Sequence, residues 1–135
     1  MIRSAVALAV LAMFAVAPSA RGFGPETNYV IHCQGCHLAE GTETPDKVPG
    51  LAGQVSRFTH TPDGRAYLGR VPGVANASLP DAELAVLLNW TLRRFDPAHL
   101  PPDFVEYTQE EIGALRQAPL VDVTRERARV LDAVK

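Results

Sequence analysis

Cys33-Gln34-Gly35-Cys36-His37 places two thiols three residues apart and an imidazole directly after the second. One helical turn carries both sulfurs along one edge of a flat ligand, and the histidine falls beneath its face. That spacing suits a covalent haem c site, with Cys33 and Cys36 adding to the two vinyl groups and His37 binding iron. The other chemistries of a Cys-x-x-Cys pair are poorer fits. A structural zinc site wants four ligands, but these are the chain's two cysteines, and His60 and His99 are too far apart to supply a paired set. A redox dithiol wants a βαβ setting that the sequence does not offer. A disulfide between Cys33 and Cys36 would close a very short loop and constrain little of the unfolded chain.

The start of the chain bears on the compartment. Met1-Ile2-Arg3 is a short basic head, Ala5 to Ala17 is uncharged and apolar, and small residues follow at Ser19, Ala20 and Gly22. This is the layout of an export signal, and the apolar run is short for a membrane span; an uncleaved anchor is the alternative. We expect a signal peptide over 1–22, cut somewhere between 19 and 24, and a periplasmic mature protein. The remainder divides into a haem domain, 23–97, and a C-terminal extension, 98–135. The 13 basic and 15 acidic residues give a net charge of −2, and losing Arg3 and Arg21 makes the mature chain more acidic. Nucleic acid and anionic membrane surfaces are poor partners for such a chain.

The elements that must position the motif read as helices. A helix from about Thr27 to Leu38 carries the cysteines, and proline and glycine keep 41–53 irregular. Between Val55 and Pro72 a short helical piece is expected, interrupted by a turn at Thr61-Pro62-Asp63-Gly64. Pro80 to Phe95 is the clearest helix: Pro80 suits its first position, acidic residues open it and Arg93-Arg94 close it. Leu84, Leu87, Leu88 and Thr91 share one face, with Trp90 beside it. Thr108 to Glu111 forms a capping box for a helix to about Gln117, and a last helix runs from about Thr124 to Val134. No segment alternates as a strand does. The expected fold is all-α, a haem domain of three to four helices with a helical tail wrapped on it. A docking arm for a partner is the other reading of that tail.

The stretch from Tyr29 to Phe95 resembles the class I cytochromes c, small single-haem electron carriers. Tyr29 and Trp90 stand where that family packs its first helix against its last, and Leu79 to Leu92 is similar to the final helix. Val48-Pro49-Gly50-Leu51-Ala52-Gly53 resembles the loop that follows the haem motif. The resemblance implies that the Pro49 carbonyl accepts a hydrogen bond from the His37 ring, with Leu51 close to the haem. Such an outer contact fixes the tautomer of an iron-binding histidine.

One departure bears on function. The resemblance implies a methionine as sixth iron ligand, yet Met1 and Met13 are the chain's methionines and both precede the expected cut. The matching position holds Val71. His60, in the loop that the family passes over the distal face, is the expected metal ligand beside His37. Water, an open position, or a donor such as Asn76 are the alternatives; His32 lies on the proximal helix and His99 beyond the final one. Arg65, Tyr67 and Arg70 share the distal segment and are candidate partners for haem propionates, since arginine donates two parallel bonds to a carboxylate.

With no second cofactor motif and no acid–base pair, the sequence points to an electron carrier rather than an enzyme. The expected role is transfer from a periplasmic dehydrogenase to a downstream acceptor, as a free carrier or as a haem subunit. The alternative is a haem protein whose open distal site binds a diatomic gas or peroxide.

Overall fold

The computed structural model describes residues 22–45 and 48–133. Residues 1–21 of the expected export signal, 1–22, lie outside the described residues. Among those described, the chain is helical, and its β structure is one isolated bridge between Thr44 and Val48. The helices are α1 (Pro25–His32), α2 (Gln34–His37), α3 (Pro62–Arg70), α4 (Pro72–Ala75), α5 (Asp81–Phe95), α6 (Gln109–Leu115) and α7 (Val123–Ala133), with 3-10 turns at Val55–His60 and Pro97–His99. No helix among them is long and apolar enough to cross a membrane.

The motif-bearing segment is two helices, not the single one expected. Pro25 opens α1, where a missing N–H costs nothing, and Cys33 leaves helical geometry at φ −125°. The chain then winds one tight turn, with Cys36 and His37 amides donating to the Cys33 carbonyl at 3.1 and 3.0 Å. Leu38, at φ 57°, ends it. A positive φ is strained for a leucine and stops the helix here.

Helix α5 is the central element. Leu84, Leu87, Leu88, Thr91, Leu92 and Phe95 are all buried on it, as its periodicity predicts. Pro80 stands one position earlier than expected, as the extended N-cap residue whose carbonyl accepts the first helical bond from Leu84 at 2.9 Å. α1 lies against α5, and the Tyr29 ring is 5.6 Å from Trp90 and 4.8 Å from Phe95. Offset and tilted rings at such spacing attract through their quadrupoles as well as their buried area.

The segment 61–64 starts α3 and does not interrupt a helix. The Thr61 hydroxyl accepts from the Gly64 amide at 3.1 Å, and Pro62 and Asp63 fill the first turn. A side chain at Gly64 would collide with the Phe58 carbonyl, so α3 can lie tight against the preceding 3-10 turn only because residue 64 has no Cβ.

Residues 100–133 pack on the helices that precede them. Asn89 and the Tyr107 backbone exchange two hydrogen bonds of 3.0 and 2.9 Å. Ile112 and Val130 are fully buried. Arg116 ties α6 to the end of α4, the following loop and the start of α5 through the carbonyls of Ala75 and Leu79 and the Asp81 carboxylate. The capping box is only half formed: Thr108 accepts from the Glu111 amide at 3.2 Å, while the Glu111 carboxylate reaches Arg65 instead of returning to Thr108. α6 ends at Leu115, two residues early.

Candidate haem attachment site

Both thiols are free, Cys33 half-buried and Cys36 exposed. Burial, and then the neighbouring Cys36, push the Cys33 thiol up to about 11. It is therefore a neutral, protonated thiol at physiological pH.

Three contacts hold the end of the motif. The Tyr29 hydroxyl donates to the Leu38 carbonyl at 2.7 Å, and burial pushes this phenol up to about 12. The Thr44 hydroxyl donates to the Cys36 carbonyl at 2.6 Å. His37 Nδ1 lies 3.1 Å from the Pro49 carbonyl. A carbonyl only accepts, so Nδ1 carries the proton and Nε2 keeps its lone pair. Burial lowers the His37 pKa, against the raising effect of the Pro49 bond, which favours the neutral ring a metal requires.

The loop that brings Pro49 into place is built on Gly41. Its carbonyl accepts from the Leu51 and Ala52 amides at 2.7 and 3.0 Å. Its φ of +66° and the Phe95 ring, packed where a Cβ would stand, both call for glycine. Leu51 is half-buried and packs against the core, as Cys33 and Val71 each do.

The other expected site residues lie in different surroundings. Tyr67 is buried and stacked on Phe58, ring centroids 5.0 Å apart. Arg65 makes two bonds to Glu111 and one to the Val105 carbonyl. Arg70 donates to the Ala118 carbonyl at 2.7 Å. The hydrogen bonds of both arginines thus run to the tail. His60 is exposed at the end of its 3-10 turn, with Nε2 2.7 Å from the His99 carbonyl. His99 in turn sits between buried Asp96 at 2.6 Å and Arg57 at 2.8 Å. Thr44 is the contact that sequence reasoning missed: a threonine in an irregular loop carries no signal until the loop has folded back.

Among the described residues no group of three His, Cys, Asp or Glu side chains could hold a bare metal ion. Two free thiols on one turn and one imidazole with an open Nε2 fit haem instead, because the porphyrin brings four nitrogens of its own and needs axial and covalent partners only.

Comparison with known proteins agrees. No protein-family model matches the chain. Cytochrome c-552 of Thermus thermophilus is 31% identical to it over 106 residues, which cover 65% of this chain and 81% of the relative. A second cytochrome c-552, from a designated strain of the same organism, is also 31% identical over 106 residues, covering 72% of its own length. With the attachment motif, the helical frame and these relatives in agreement, the chain belongs to the c-type cytochromes.

Proposed function

We propose that the protein is an exported single-haem electron carrier that takes electrons from a periplasmic dehydrogenase and passes them to a downstream acceptor. Cys33 and Cys36 hold the haem through thioether bonds and His37 binds its iron, while Leu51 packs near it. The observation that carries this reading is the His37–Pro49 contact, which presents Nε2 with a free lone pair beside two unpaired thiols. Bound haem supplies an iron that cycles between its ferrous and ferric states. The chain's part is to keep the reorganisation in that cycle small. Tyr29, Thr44 and Pro49 hold the His37 segment at its two ends and at its ring, and the α1–α5 aromatic contact holds the helix behind it.

His60 is the protein's own candidate for the sixth position, with Arg65, Tyr67 and Arg70 as candidate propionate partners. To bind iron through Nε2, His60 must give up the His99 carbonyl. That contact is what favours the second reading, an open distal site that admits a diatomic gas or peroxide beside the apolar Val71.

Visible spectra of the haem-loaded protein separate the two. A low-spin spectrum indifferent to carbon monoxide, converted to high-spin by His60→Ala, supports the carrier with His60 as ligand. A wild-type ferrous spectrum that shifts at once with carbon monoxide, and is unchanged by His60→Ala, overturns that ligand set and supports the open site.

A further inference from the structure

Asn28, on α1, is 2% exposed, and its side-chain oxygen has no hydrogen-bond partner. The amide is not simply turned the wrong way. Its nitrogen donates to the Phe23 carbonyl at 3.2 Å and to a Glu83 carboxylate oxygen at 3.3 Å, two groups that can only accept. The oxygen is left needing a donor. It borders a cleft of about 260 Å³ lined by Gly22, Phe23, Asn28, Ala82, Glu83 and Val86. Glu83 brings a negative charge there, and among the described residues no ion pair includes it. A buried acceptor without a donor, beside a carboxylate that pairs with no described cation, is a seat for an ammonium group.

The chain can supply one. Gly22 runs so close to the Glu83 carboxylate that a Cβ there would collide with it, and the Phe23 carbonyl is held by Asn28. The Phe23 nitrogen, bonded between those two points, therefore sits in this corner. As a peptide nitrogen it offers one N–H and no charge; as a chain terminus it offers three and a positive charge. Ala20 and Gly22 provide small residues three and one before the Gly22–Phe23 bond, the pattern that export peptidases accept.

We propose that export processing cuts the Gly22–Phe23 bond and that the new Phe23 α-ammonium docks on Glu83 and the Asn28 oxygen, pinning α1 to the start of α5. Water adds across the amide in this step, so Gly22 leaves with a carboxylate and Phe23 keeps the nitrogen as its ammonium. The inference rests on the export reading above.

The test uses the full chain, exported and haem-loaded by a host that matures c-type cytochromes. N-terminal sequencing of the purified protein should begin Phe23-Gly24-Pro25. A start at Ala20, Arg21 or Gly22 overturns the seat but leaves export and cleavage standing, whereas a retained Met1 overturns cleavage and with it the seat, and leaves the uncleaved anchor. A second readout concerns the terminus directly. Docking on a carboxylate raises the α-amino pKa, and a rise of half to one unit leaves about three- to tenfold less free amine at neutral pH. Acylation of the Phe23 amine should be slower than in Glu83→Gln by that factor. Equal rates in the two proteins, both with native haem spectra, overturn the proposal.

Discussion

Arg65 on α3 and Glu111 on α6, 46 residues apart, are joined by two parallel bonds of 2.6 and 2.7 Å. The guanidinium also lies 3.9 Å over the Tyr107 ring, and Tyr107 returns a bond to the Arg65 carbonyl at 2.8 Å. Both side chains of the pair are mostly shielded, 20% and 31% exposed. This cluster is one polar clamp between α3 and the segment 105–111. Glu111→Gln breaks the pair but keeps the shape, and should lower unfolding free energy by about 1.5–3 kcal/mol, the usual range for a hydrogen bond to a charged group. Denaturant unfolding followed by tail-specific hydrogen exchange checks it, and an unchanged midpoint would show that the pair is screened.

Haem should be inseparable from the denatured chain. Acidified organic solvent should extract none from the wild type and all of it from a Cys33→Ala, Cys36→Ala double variant. Extraction from the wild type would rule out thioether attachment.

Leu88 is 5% exposed on the buried face of α5. Leu88→Ala should cost about 2–5 kcal/mol, from lost apolar transfer and the cavity left behind. Equilibrium unfolding of the haem-loaded protein measures this, and a cost below about 1 kcal/mol would mean that the core closes around the gap.

The tyrosines should resist alkali. Burial raises all three: Tyr29 to about 12, and Tyr67 and Tyr107 in the same direction. Because the folded pKa values lie above the unfolded value near 10, the fold retains protons that the unfolded chain gives up. Their contribution to stability is whole below about pH 10 and falls as pH rises from there towards 12. Tyrosinate absorbance should therefore appear together with unfolding, and a non-cooperative step near pH 10 would contradict it.

The attachment motif was legible because its chemistry is local: two thiols and an imidazole must lie within five residues, and no distant contact can rearrange that. The periodic face of α5 was legible for a similar reason, since Leu84, Leu87, Leu88 and Thr91 share one side at helical spacing wherever the helix docks. The resemblance to class I cytochromes brought Pro49 into view, a contact between residues 12 apart that composition could not show. Tertiary structure decided what depends on competition between partners. Glu111 had the spacing to complete a capping box, but an arginine on another helix offered two charge-assisted bonds instead of one neutral amide. Thr61 to Gly64 had the residues of a turn, yet the same residues make a helix start once Gly64 packs on Phe58. His60 had the position of a ligand, and whether its Nε2 stays on the His99 carbonyl or turns to iron depends on packing between segments 39 residues apart, which no local pattern records.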